Sequence, residues 1–217
     1  MSFAVILGWT AAAFGAAISL PQLIRLLRTR TSAGLSVLMW QLLLTAGIGW
    51  THHGFLTAQA NIIVPNAIMA ISSVAVLRLI QRDRHIPHAR VWVLPLVLAA
   101  ILIGIDLFIG PLAYGIATSI PQVIGAGAQL VDVIRSIDIR GLSPIYLVLA
   151  VVVQLLWGSW SLLVKDSSVT VSASANGTVV ALTLIWYVLR RLGWVRAMPT
   201  APSRASGTGT AGASHRH

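Results

Sequence analysis

The chain has 217 residues, 57% of them hydrophobic and only 9% charged, with a mean hydropathy of +0.85; this excludes an ordinary soluble domain and points to a protein that crosses a membrane several times. Its net charge of +10 would suit nucleic acid, but the basic residues fall in short clusters between apolar runs and not along one polar face, so nucleic acid is excluded as a partner. The sequence contains no cysteine, which removes disulfides, thiolate metal sites and cysteine nucleophiles.

A membrane helix needs about 20 apolar residues, and seven stretches supply them: 3–27, 35–56, 60–80, 91–109, 111–134, 142–164 and 169–189. The opening "MSFAVILGW" lacks the positive leader of a cleavable signal, so the first stretch is expected to stay as a helix. The second is interrupted by Thr51, His52 and His53, which mark its outer end and lack partners for a metal. The seventh is the most polar, with Ser172, Ser174 and Asn176. From Ala197 the chain is small, polar and rich in Pro and Gly, and is expected to be a disordered tail, with His215 and His217 not forming a metal site.

Charge fixes the expected orientation, because Lys and Arg gather on the cytoplasmic side. Clusters follow the first, third, fifth and seventh stretches, and every basic residue except Lys165, which sits beside Asp166, then falls on one face. The N-terminus is therefore expected outside and the C-terminus in the cytoplasm, in a bacterial plasma membrane.

"PQLIRLLRTRTSAGLS" at 21–36 returns as "AQLVDVIRSIDIRGLS" at 128–143, an offset of 107 that also carries Trp50 onto Trp157. Two units of three helices with one connecting span enter the membrane from the same side and are related by an axis along its normal. The expected fold is an all-α membrane protein of seven helices, arranged 3+1+3: a first unit at 1–84, a linker at 85–110, a second unit at 111–196 and a tail at 197–217.

With Pro21-Gln22, a basic loop, Gly34-Leu35-Ser36, Trp50 and Asn66 in that order, the chain resembles the PQ-loop superfamily, and most of all its SemiSWEET/SWEET sugar-transporter branch. The resemblance covers residues 5–190 and implies two three-helix bundles around a sugar site near mid-membrane. Its second unit departs from the pattern: the aligned pair is Ala128-Gln129, while Pro121-Gln122 lies seven residues earlier.

Such a site needs flat apolar surface for the sugar ring and amides that both donate and accept. Trp50 and Asn66 supply these in the first unit, and Asn176 with Trp157 or Trp160 in the second, three extra residues being expected in the loop "DSSVTVSAS". Pro21 and Pro121 remove a backbone bond and make candidate hinges, and Gln22, Gln122 and Gln129 are amides that must find partners in the membrane. Asp132, which corresponds to Arg25, is a candidate to pair with it at an inner gate. Asp106 lies near an outer interface, and no carboxylate is placed at mid-membrane, so proton coupling is not expected.

The reading is a transporter moving a small neutral solute, a mono- or disaccharide, by alternating-access facilitated diffusion. It needs no cofactor; a monomer suffices, and a homo-oligomer stays open. Two alternatives keep the fold: a transporter of basic or cystine-like amino acids, or a scaffold that transports nothing. A retinal protein is excluded because the one lysine, Lys165, is in an outer loop, and an enzyme is not expected because neither HExxH nor GxSxG is present. "GAGAQL" at 125–130 lies mid-span and serves close helix approach, not phosphate binding.

Overall fold

Apolar runs of this length satisfy their own backbone only as helices, and the computed structural model accordingly places seven α-helices in the described residues. It describes residues 2–29, 35–139 and 142–197, with the backbone alone over 17–29. In chain order the helices are α1 (Phe3–Thr29), α2 (Val37–Leu56), α3 (Ala60–Asp83), α4 (His88–Phe108), α5 (Pro111–Arg135), α6 (Pro144–Val164) and α7 (Ser167–Arg191). Four of them, α3, α4, α6 and α7, are each long and apolar enough to cross a membrane. Large apolar side chains such as Ile71, Leu96, Ile124, Leu155 and Leu162 cover the outside of the bundle, as a lipid-facing surface requires. The tail beyond residue 197 lies outside the described residues.

The internal repeat is visible at the caps. Ser36 caps α2 by accepting from Met39 N, and Ser143, its mate at the 107 offset, caps α6 by accepting from Tyr146 N. In each unit the third helix lies in the middle: α3 packs on α1 and α2, and α7 packs on α5 and α6. An arginine at the end of each third helix then reaches the loop between the first two. Arg84 donates to Leu35 O, and Arg190 donates to Val133 O, Ser136 O and Ile137 O. The bonds to Val133 O and Ser136 O satisfy carbonyls that the end of α5 leaves open, and the others tie down the loop.

One end of the bundle, here the N-terminal rim, gathers the starts of α1, α3, α5 and α7 and the ends of α2, α4 and α6; Leu7, Trp50, Ile62, Trp160 and Val169 pack together there. The opposite end, the basic rim, carries Arg78, Arg82, Arg84, Arg135, Arg190 and Arg191. Both units therefore begin at the same rim and run parallel, with α4 supplying the extra crossing.

α4 is fastened to the first unit through a proline. Pro95 lacks an N–H, which frees the carbonyl of Val91 four residues back. Gln41 of α2 donates to that carbonyl at 2.9 Å and to Arg90 O at 2.7 Å, and Thr45 donates to Pro95 O at 3.2 Å. A buried cluster of Trp40, Leu44, Val76, Leu77, Ile80 and Val91 surrounds the joint.

One local expectation is corrected. "DSSVTVSAS" does not lengthen a loop: Asp166 accepts from Val169 N at 3.1 Å and starts α7 at Ser167. α3 starts at Ala60 and α7 at Ser167, which keeps the 107 offset. Asn176 therefore sits one turn further along its helix than Asn66 does.

Candidate functional site

Two features mark the interior: a cavity walled by the second unit and Gly15 of α1, reaching from mid-span toward the basic rim, and a plug at the N-terminal rim. The cavity, about 430 Å³, is walled by Gln122, Gly125 and Gln129 of α5, Tyr146 and Gln154 of α6, and Asn176 of α7, with Gly15 of α1 opposite. Its volume falls within the range of small-molecule sites. Four side-chain amides and one phenol face it, and no charged side chain is among its described lining residues. An amide presents both donor and acceptor atoms, which suits a neutral polyhydroxyl solute better than an ion.

The amides are partly engaged already. Gln122 Nε2 donates to Thr118 O and to Ser172 Oγ, each at 3.2 Å, tying α5 to α7. Gly115 makes that approach possible: a Cβ there would stand 2.6 Å from Ser168 O.

The structure brings together Asn176, Gln122 and Gln129 from the sequence-derived candidates and leaves Asn66 apart. Asn66 Nδ2 donates to Ile62 O of its own helix at 2.8 Å, and its side chain is absent from the cavity wall. Pro121 is exposed on α5, and Asp132 is exposed toward the basic rim. The side chains of Pro21, Gln22 and Arg25 lie outside the described residues, and with them the expected Arg25–Asp132 pair.

Trp50, Trp157 and Trp160 build the plug instead of the cavity wall. They meet Leu7, Ile62 and Val169, so helices of both units contribute. Trp157 and Trp160 pack edge to face at 5.6 Å, and Trp50 meets Tyr114 the same way at 5.1 Å. Trp157 lies three residues past Gln154, just under one turn from the cavity. Gly8 lets α1 enter here, because a Cβ would stand 2.5 Å from both Asn61 Nδ2 and Trp160 Nε1.

Beside the plug lies a cluster that the sequence reading missed. His53 at the end of α2 is 1% exposed. Its Nδ1 is 2.9 Å from Asp106 Oδ2 of α4, and its Nε2 is 3.1 Å from Asp166 Oδ2 at the start of α7. His52 Nδ1 approaches Asp106 Oδ2 to 3.7 Å, and the Tyr114 ring stacks on His53 at 5.1 Å. Burial works against the Asp166 carboxylate, yet the His53 ring and the Val169 N–H hold it below the ordinary carboxylate range. Apart from the adjacent His52 and His53, the members are far apart in sequence, and Asp166 has a lysine beside it that suggests a surface pair. Within the described residues no group of His, Cys, Asp and Glu is arranged to hold a metal ion.

Comparisons with known proteins agree with this architecture. Residues 3–60 match the PQ loop repeat family model. The 3.7 Å resolution structure of a eukaryotic SWEET transporter superposes with a TM-score of 0.67 at 16% identity, over 88% of this chain and 100% of that one. A search among curated proteins finds no match. The chain is therefore an integral membrane protein that carries a PQ-loop repeat and has a SWEET-like seven-helix fold.

Proposed function

We propose that the protein is a membrane transporter that carries a small neutral solute, a mono- or disaccharide, by alternating access between units 1–84 and 111–196. The observation that carries this reading is the cavity of about 430 Å³ walled by Gln122, Gln129, Gln154 and Asn176. Hydroxyl groups exchange hydrogen bonds with amides at little net cost, and a cation would require a carboxylate that the described lining lacks. With the plug closed, we read access to the cavity as coming from the basic rim, which positive-inside topology assigns to the cytoplasm. Trp50, Trp157 and Trp160 then act as the outer closure over the solute. Asn66, one turn short of Asn176, reaches the solute in the opposite conformation.

The similarity to a SWEET transporter in fold supports the reading without identifying the cargo. Uptake into proteoliposomes of radiolabelled hexoses, disaccharides and basic amino acids tests it. Saturable sugar uptake that needs no pH gradient to drive it is expected. Uptake of the amino acids alone would transfer the assignment to the cationic cargo, and no uptake of either class would leave the fold without this function.

A further inference from the structure

We propose that His53, Asp106 and Asp166 form a binding site for a single proton that latches the N-terminal rim shut, so that loss of the proton opens the way to the cavity. The argument is one of donors and acceptors. An ionised carboxylate only accepts, and a neutral imidazole has one N–H. Both ring nitrogens of His53 nevertheless face carboxylate oxygens, at 2.9 and 3.1 Å. The two bonds exist together only if the triad holds one proton more than a neutral histidine and two carboxylates supply.

Removing that proton sets a nitrogen lone pair against an oxygen lone pair where water does not intervene, since the three side chains are 1%, 2% and 4% exposed. It also raises the net charge of the triad from one negative to two, in surroundings where charges are poorly screened. The broken bond is one that spans units: His53 belongs to the first unit, Asp106 to the linker and Asp166 to the turn that starts α7. Asp166 is doubly committed, with Oδ2 on His53 and Oδ1 on Val169 N, and Val169 is part of the plug. Releasing the ring therefore loosens the first turn of α7 and the plug above the cavity.

Other titratable groups face the site from the neighbouring elements. His52 Nδ1 stands 3.7 Å from Asp106 Oδ2 with no hydrogen-bond partner. Tyr114 comes from α5, its ring stacked on His53 and its buried Oη without a partner. Lys165 precedes Asp166 and is exposed. At this rim α1, α3 and α6 bring no titratable side chain among the described residues. The Trp50 ring closes the remaining face of His53 edge-on at 5.6 Å.

The cysteine-free chain permits a test that measures neither cargo nor flux, so it stands or fails apart from the transport reading. Ser161 of α6 is fully buried at this rim, and Ser161→Cys changes its size little. The rate at which a membrane-impermeant maleimide labels that cysteine in nanodiscs is measured between about pH 5 and about pH 9, spanning the histidine range. It is compared with the rate in an Asp106→Asn background. The amide introduced by Asp106→Asn donates to Nδ1 of a neutral ring, keeping both bonds without the extra proton, and Asp166→Asn does the same at Nε2 should the first variant fold poorly.

Comparison with these backgrounds cancels the thiol's own ionisation. The ratio of parent to Asp106→Asn labelling is expected to climb with pH, by up to about tenfold per pH unit, while His53→Gln labels fast at every pH. A flat ratio, or a His53→Gln protein labelled as slowly as Asp106→Asn, overturns the proposal.

Discussion

Asn176 and His53 carry different kinds of weight, one facing the cavity and one buried at the rim. Truncating Asn176 removes the hydrogen bonds that an amide makes to a solute, about 1.4 kcal/mol for a tenfold effect. Asn176→Ala should therefore reduce the affinity for sugar about tenfold while leaving thermal unfolding unchanged, as measured by concentration-dependent uptake alongside a melting curve. His53→Ala does the reverse. It leaves two buried carboxylates facing each other, and breaking a buried charge pair in this way costs about 3–5 kcal/mol. A large loss of thermal stability in detergent is expected, with Asp166→Asn much milder because the cap to Val169 N survives. The pH dependence has a definite sign: Asp166 is held below its usual 3.8, so its contribution is present above that value and is lost as pH falls through the lower folded one. Wild-type melting temperature should drop below about pH 4, and the drop should shrink in Asp166→Asn. The His53–Asp106–Asp166 cluster was not legible in the sequence. His53 is 53 residues from Asp106 and 113 from Asp166, separations that no periodicity links, and two adjacent histidines at a helix end look like an interface marker. Asn176, which lines the cavity, stood out in the sequence because an amide in a membrane helix needs a partner.

Helices and their caps were the most readable level, because a span's length is set by the membrane and its ends by Ser, Pro and Asp. The 107-residue repeat aligned Ser36 with Ser143, and the structure shows each capping its helix in the same way. The exception is the start of α7, where a run of serines reads as loop until Asp166 is seen to accept from Val169 N. Small residues at α5–α7 and a proline in α4 set how the elements fit. Gly115→Val should destabilise the protein by about 1–3 kcal/mol through forced separation of α5 from Ser168, readable by thermal unfolding. Gln41→Leu strands the Val91 carbonyl that Pro95 leaves open and should cost about 1–3 kcal/mol, whereas Gln41→Leu combined with Pro95→Ala should recover part of it by restoring the helix bond to Val91. Recovery in that double-mutant cycle distinguishes a joint built on the proline from simple packing.

At the scale of the whole molecule, two parallel units meet at an aromatic plug on one rim, and the second unit carries an amide-lined cavity that reaches toward the other. The parallel arrangement was foreseen from the repeat and the charge clusters, since one connecting helix leaves no other way for both units to start at the same rim. The asymmetry between the units was only half foreseen: the three-residue offset of Asn176 from Asn66 was read as a longer loop, and nothing indicated that the Asn66 amide bonds back to Ile62 O. Such an assembly transports only if the plug opens when the cavity closes. Spin labels at Thr57 and Lys165, on the turns that flank the rim, should show one distance without solute and an added longer one with saturating sugar. The central claim is tested most directly by radiolabelled hexose flux through proteoliposomes holding equal amounts of wild type and Asn176→Ala. Saturable wild-type flux that falls about tenfold in the variant at low sugar is predicted, and equal flux through both would contradict a solute site at this cavity.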